Sequence, residues 1–490
     1  MHLRYGVLDL ALDGLLMKQT GLTALVSLLG PSSQQLAGFV ITILAAGFLT
    51  PSEYGVYTLA IVFVELILAF TYAGFFHFIV TSDQDDDAVL STMFWLMLGV
   101  GVVGGAALFA SAGAVARLFD APQLEPVLRL FALLQPFASV MAWGAAVLMR
   151  RTLMQRHFAI MLVQNLAALA AGAVVLVIWQ SLYALVLYRF IRIALGVGLL
   201  AALTHDRPRA QFDTMLARSA FGYALGLYGT RILTFCSNFG TDLLLAFYFS
   251  TAESGLYRFA NRLAIGAIDI VGQPLRSFAL AAFGQTARTD QSFDTVLARY
   301  FAMMVLLMGG VTATLFIFAS DIIQTLFQPS YVAALGALYA LALRALFSAG
   351  TAFIEPVFAA RARTRIALWH SLLWTSIAVA AIFAASGYGL AVLARAQAVV
   401  ALCASCAAFG LIAWQGRIHI RPALRAGAIA LGLVACYALT AQLMWRILSQ
   451  ALSVSPLSLM LGLICALVLG ALTLFAGARA GVFHLSVFKT

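Results

Sequence analysis

The chain has 490 residues, of which 63% are hydrophobic and 10% charged, with a mean hydropathy of +0.99. Water-soluble domains are about one-quarter charged, so this composition excludes a soluble globular protein. Its 29 Lys and Arg against 19 Asp and Glu leave a net charge of +10, which in a membrane protein is a topology signal before it is a sign of nucleic-acid affinity.

Residues 1–20 carry Asp9 and Asp13 among leucines, a pattern that suits an interfacial lead-in segment better than a cleaved leader. Runs long enough to span a bilayer then follow at 21–49, 54–80, 89–112, 123–149, 158–179, 181–203, 217–248, 252–283, 298–319, 330–360, 366–386, 388–412, 423–448 and 457–478. Turn residues mark the joints, among them Thr50-Pro51-Ser52, Asp120-Ala121-Pro122, Pro329-Ser330 and Arg421-Pro422. The predicted fold class is therefore an all-α polytopic membrane protein of about 14 transmembrane helices. An N-lobe covers 21–203 (six helices), a C-lobe 217–412 (six more), and two additional helices fill 423–480. The five cysteines, Cys236, Cys403, Cys406, Cys436 and Cys465, all fall in apolar runs, so no disulfide framework is expected. Cys403 and Cys406 form a C-x-x-C pair that reads as small-residue packing, and neither a metal nor a cofactor is expected.

Charge sets the orientation. With the N-terminus in the cytoplasm, eighteen of the basic residues fall on the cytoplasmic side and three, Arg117, Arg129 and Arg446, on or near the other, the remaining eight lying within spans. Both termini are then cytoplasmic in a multi-pass inner-membrane protein. The one acidic inner loop, Asp83, Asp85, Asp86 and Asp87, imitates the start of a calcium loop. Ala88 replaces the required Gly, however, and Phe94 replaces the closing Glu, so it reads as carboxylates favoured at the N-terminus of the third helix.

The chain repeats itself. Pro51-Ser52-Glu53-Tyr54-Gly55-Val56-Tyr57 faces Thr251-Ala252-Glu253-Ser254-Gly255-Leu256-Tyr257, with Glu, Gly and Tyr matching at an offset of 200. Phe137 and Arg151 match Phe347 and Arg361 at an offset of 210. Six helices per unit is an even number, so the two units share an orientation, as in transporters with parallel repeats. Glu53 and Glu253 themselves suit first-turn capping.

The segment Leu49-Thr50-Pro51-Ser52-Glu53-Tyr54-Gly55-Val56-Tyr57, followed after the second helix by an acidic loop, resembles the polysaccharide-exporting branch of the multidrug/oligosaccharidyl-lipid/polysaccharide (MOP) exporter superfamily, the Wzx-type flippases. The resemblance extends along the chain in helix count, loop brevity and the doubled, MATE-like lobe. It implies a V-shaped pair of lobes whose first, second, seventh and eighth helices line a cavity. An undecaprenyl-pyrophosphate-linked oligosaccharide repeat unit places its sugars and pyrophosphate there while its lipid tail stays in the bilayer. The two last helices match a lipid-facing appendage. A polysaccharide polymerase, chain-length machinery and H+ or Na+ coupling belong to the same expectation, and nucleic acid does not.

Candidate site residues come from charges inside spans, which face a bundle interior or water rather than lipid. All eight bases there are Arg: Arg189, Arg192, Arg231, Arg258, Arg262, Arg276, Arg344 and Arg395. Guanidinium keeps its charge when desolvated and grips phosphate through a planar fork. Arg258, Arg262, Asp269 and Arg276 fall within a sector of roughly 40° over roughly 27 Å of helix. Arg231, Asn238 and Asp242 share one face of the seventh helix, and Arg344, Ser348, Thr351 and Glu355 one face of the tenth. Arg231, Arg262 and Arg344 are the deepest headgroup candidates. Arg258, Arg276, Arg189 and Arg192 join them, with Arg258, Arg276 and Arg395 also able to snorkel to an interface. Glu65, Asp242, Asp269 and Glu355 are the coupling or charge-balancing carboxylates, Glu65 being deep with no Arg on its own helix. Tyr57, Tyr72 and Tyr257 are sugar-stacking candidates, beside the alternative of an interfacial aromatic belt. A multidrug or cation antiporter on the same fold is the rival, although cations favour a carboxylate-dominated cavity. A polysaccharide polymerase needs a sizeable outward loop, and the outward connections here are short. A structural scaffold has no use for buried arginines.

Overall fold

The computed structural model describes residues 20–82, 86–204, 207–286, 292–361 and 363–479. The lead-in segment expected at 1–20 lies outside the described residues except for Thr20, as do Asp83 and Asp85 of the acidic loop. Every element among the described residues is helical: α1 Thr20–Phe48, α2 Pro51–Ala73, α3 Phe75–Thr81, α4 Asp86–Leu118, α5 Leu124–Arg150, α6 Met154–Trp179, α7 Leu182–Leu203 and α8 Thr214–Tyr248. There follow α9 Thr251–Thr286, α10 Phe293–Leu326, α11 Leu335–Phe347, α12 Ile354–Ala360, α13 Thr364–Ala385, α14 Leu390–Trp414, α15 Arg421–Leu452 and α16 Pro456–Arg479. All fourteen predicted runs coincide with helix. Among the described residues, twelve helical segments are long and apolar enough to cross a membrane; those at 21–49 and 217–248 are not in that number. The chain divides into two compact units, Met1–Gly255 and Leu256–Thr490.

Two of the runs are interrupted, for legible reasons. The second breaks at Gly74 into α2 and α3. Arg150 then donates to the carbonyls of Ile79 and Ser82 (2.6 and 2.8 Å) at the end of α3, where a cation suits the exposed acceptors. The tenth run is the larger departure. It enters through a 3-10 turn (Pro329–Ala334), stops as an α-helix at Phe347, passes through a second 3-10 turn (Thr351–Phe353) and resumes as α12. Ser348 and Thr351 turn their hydroxyls back onto the carbonyls of Ala345 and Ser348 (2.6 and 2.7 Å), and Pro356 lacks the N–H that would carry the ladder through. A 100° rotation per residue does not continue through the 3-10 turn, so Arg344 and Glu355, expected on one helical face, stand on separate α-helices, α11 and α12.

In unit 1, α2, α5 and α7 pack together, α4 lies on α5, and α1 lies on α6. A buried cluster joins Phe75 and Ile79 of α3 to Met93 and Met97 of α4 and Trp143 of α5, whose indole N–H donates to Leu90 O at 2.9 Å. In lipid, burial of apolar surface drives helix association only weakly, so close packing and interhelical hydrogen bonds carry it. Asn165 of α6, fully buried, accordingly donates to Ser33 Oγ of α1 at 2.8 Å.

The same segment of unit 1 shows what the sequence repeat does. Thr50 and Glu53 form a reciprocal capping box: Glu53 N donates to Thr50 Oγ1 at 3.3 Å and Thr50 N to Glu53 Oε2 at 3.0 Å. Ser250 and Glu253 reproduce it at 3.2 and 3.1 Å. Both glutamates are thus committed to capping. The two helix starts cross at their glycines. A Cβ on Gly55 would lie 2.0 Å from the carbonyl oxygen of Thr251, and one on Gly255 would lie 1.9 Å from that of Pro51. Ser52 and Thr251 hydroxyls share a 3.0 Å hydrogen bond beside the crossing.

In unit 2, α10 packs against α15 and α16, α11 against α14, and α13 against α14. Trp445 of α15 donates to Asp321 Oδ2 of α10 at 2.7 Å, and Thr314 and Tyr437 hydroxyls meet at 2.7 Å. The two last helices are therefore bonded into this unit through α10.

Candidate functional site

Unit 1 brings Glu65, Arg189 and Arg192 together in one place. Arg189, 8% exposed, reaches from α7 to α2 and donates through Nη2 to Glu65 Oε1 at 2.8 Å. Its guanidinium also lies over the Phe131 ring of α5, 5.9 Å from the centroid, in cation–π contact. Tyr57 meets the same Phe131 ring edge-on at 6.1 Å. Arg192, one turn along α7, completes the cluster. The side chains of Arg189, Arg192, Phe131, Gln135, Val64 and Leu68 line a cavity of about 30 Å³. Nε of both arginines and Oε1 of Gln135 are buried there without hydrogen-bond partners. Two guanidinium groups against one carboxylate leave this cluster with an excess of positive charge, and the cavity is large enough for a water molecule.

Unit 2 builds a second polar cluster. Gln397, 4% exposed in the middle of α14, accepts from Arg344 Nη1 of α11 at 3.0 Å and from the Tyr257 hydroxyl of α9 at 2.6 Å. Along α9, Asp269 and Arg276 pair at 2.6 Å across Pro274, so this carboxylate neutralises its helical neighbour. Arg262 is half-buried in the first third of the same helix and forms no ion pair among the described residues.

The predicted residues distribute as follows. Glu65, Arg189 and Arg192 come together, as do Tyr257 and Arg344, and Asp269 and Arg276. Tyr257 is 1% exposed, with its hydroxyl committed to Gln397, so it presents no free ring face to a sugar. Tyr57 is half-buried against Phe131. Glu355 is exposed in the first turn of α12. Arg258 is half-buried and Arg395 exposed. The side chains of Arg231, Asp242 and Tyr72 lie outside the described residues. Asp87 of the acidic loop pairs with Arg209 at 2.8 Å. Among the described residues no group of three His, Cys, Asp or Glu side chains could hold a metal ion.

Gln397, Gln135 and Phe131 were not among the predicted residues. A buried amide inside an apolar run is visible in sequence, but it carries no formal charge to set it apart from a packed neighbour. The ring beneath a guanidinium leaves no sequence signal at all.

A family model described as "Polysaccharide biosynthesis protein" matches residues 43–336. The succinoglycan biosynthesis transport protein ExoT of Rhizobium meliloti (strain 1021) is 22% identical over 370 residues, covering 74% of this chain and 73% of that protein. Among solved structures, the lipid II flippase MurJ in an inward closed conformation superposes with a TM-score of 0.69 at 11% identity, covering 94% of this chain and 99% of that one. An inward-facing multidrug resistance MATE family transporter of the MOP superfamily gives 0.64 at 14% identity, covering 79% and 96%. These relatives and neighbours are transporters and flippases rather than enzymes. The MurJ match leaves too little of this chain uncovered to omit both α15 and α16.

Proposed function

The chain belongs to the polysaccharide biosynthesis protein family, and from that premise we propose that it is a flippase for a lipid-linked oligosaccharide. In this reading the cargo is a sugar repeat unit on undecaprenyl pyrophosphate, moved by alternating access across a bacterial inner membrane for assembly of cell-surface polysaccharide. The observation that carries the reading is the arginine-only basic interior. Intramembrane guanidinium groups are held by neutral or single-carboxylate partners, as Arg344 is by Gln397 and Arg189 by Glu65. A group that stays charged at hydrocarbon depth and offers a planar fork suits an anionic pyrophosphate, and it disfavours a cationic drug. Arg231, Arg262 and Arg344 serve the headgroup, and Arg258 is a further candidate. Glu65 and Asp269 act as charge-balancing partners of Arg189 and Arg276. The eighteen-to-three distribution of basic residues supports cytoplasmic termini.

Reconstitution tests this. Proteoliposomes loaded on one leaflet with a lipid-pyrophosphate oligosaccharide should deliver it to the other, scored by accessibility to an added glycosidase. Arg262→Ala and Arg344→Ala should each lower the rate about ten- to hundredfold, the worth of one charge-assisted hydrogen bond. Both variants should insert at the wild-type level. Wild-type rates in both variants would refute the headgroup role, and transport of organic cations in place of the oligosaccharide would favour the antiporter.

A further inference from the structure

Three chain joints of unit 2 converge at one of its ends: the start of α10, the turn between α12 and α13, and the turn between α14 and α15. Arg361 stacks its guanidinium over Phe293, 4.7 Å from the ring centroid. Arg363 Nη1 donates to the carbonyl of Gln415 at 3.2 Å. His419 places its backbone N–H and its Nδ1 against the two oxygens of Asp294, at 3.0 and 3.1 Å. Between Gln415 and His419, Arg417 is exposed and its backbone is left-handed, with φ of 45°, a conformation uncommon for a residue with a side chain. Three arginines thus share one small surface, and Asp294, already engaged by His419, is the only carboxylate bonded into it among the described residues. Burial and the Arg363 charge pull the Arg361 guanidinium below its usual pKa, Asp294 opposes them, and Arg417 adds a further repulsion. An anion seated among the three relieves that repulsion.

The depth of the surface identifies the anion's source. Trp414, at the end of α14, is 75% exposed, and Trp369, in the second turn of α13, is 69% exposed. Exposed tryptophans at helix ends sit at the level of lipid headgroups, so the arginines close to them in sequence, in the turns beyond those helix ends, lie where a phospholipid presents its phosphodiester. A general excess of basic residues on one side accounts for their number, but it does not account for the joints that carry them being bonded to one another. We propose that Arg361, Arg363 and Arg417 form a binding site for the phosphate of an anionic glycerophospholipid from the leaflet this end faces. The site is separate from the cargo's headgroup residues and does not depend on their assignment.

Native mass spectrometry of the full-length protein from nanodiscs tests the site. Released from phosphatidylcholine discs doped with phosphatidylglycerol, the wild type should retain phosphatidylglycerol in preference to phosphatidylcholine. The double variant Arg363→Gln/Arg417→Gln changes two exposed side chains and should lower that retention about thirtyfold. Arg363→Lys/Arg417→Lys, which keeps the charge, should recover most of it. Equal retention of both lipids by the wild type overturns the proposal, as does undiminished retention by the Gln variant. Displacement of the lipid by inorganic phosphate also overturns it, because a soluble anion would then be the ligand. Should the Gln variant fail to fold, salt titration of the wild type decides: screening must weaken phosphatidylglycerol retention, and indifference to salt refutes the site.

Discussion

Arg189 and Glu65 show how far residue types and spacing carry at the scale of single side chains. Both were legible as intramembrane charges, and each helical face could be computed, but a face does not name its neighbour. Glu65 has no Arg on its own helix, and its partner stands 124 positions away on α7. The pair forms because α2, α5 and α7 pack together, a tertiary fact that periodicity does not contain. Removing one member leaves the other's charge uncompensated in low dielectric, whereas removing both replaces the pair by neutral amides and leaves Arg192 as the one charge of the cluster. Glu65→Gln should therefore destabilise the protein by about 1–3 kcal/mol, Glu65→Gln/Arg189→Gln should cost less than the sum of the two single changes, and thermal unfolding in detergent measures both. Gln397 teaches the complementary lesson. A neutral side chain bridging Arg344 and Tyr257 draws no attention in a count of charges, yet it decides where that arginine points.

At the scale of elements, apolar run length and turn chemistry located helix in every predicted run, because a lipid-spanning backbone has few ways other than a helix to satisfy its hydrogen bonds. The interruptions were less legible, although Gly74, Gly350 and Pro356 stand in the sequence; hydropathy averages over them. The repeat at 51–57 and 251–257 was visible as matched residues, but its physical content was not. The glutamates cap, and the glycines let two backbones meet where no Cβ fits. Gly255→Ala forces that crossing apart and should cost about 1–3 kcal/mol by overpacking. Gly284→Ala, on the same helix with nothing within 4 Å of the added Cβ, should be neutral or slightly stabilising. Parallel unfolding curves for the two variants separate steric conflict from helix propensity.

On the scale of the whole molecule, composition alone identified a polytopic membrane protein, and the doubled pattern pointed to a transporter architecture that the MurJ and MATE likenesses support. The two C-terminal helices are part of unit 2. Truncation after residue 420 removes the indole donor of Asp321, the hydroxyl partner of Thr314, and the packing on Ala302, Leu306 and Phe318. Lipid supplies apolar contact but no hydrogen-bond donor for that carboxylate, so the truncated chain should lose its monodisperse peak in size-exclusion chromatography while the full chain keeps it. The break between α11 and α12 has a consequence at this scale as well. Arg344 lies on one side of it and Arg361 on the other, and the intervening turns are held mostly by i→i+3 bonds, the weaker geometry. Between the surface arginine and the bridging glutamine, the backbone of that stretch is held less firmly than in the two α-helices it joins.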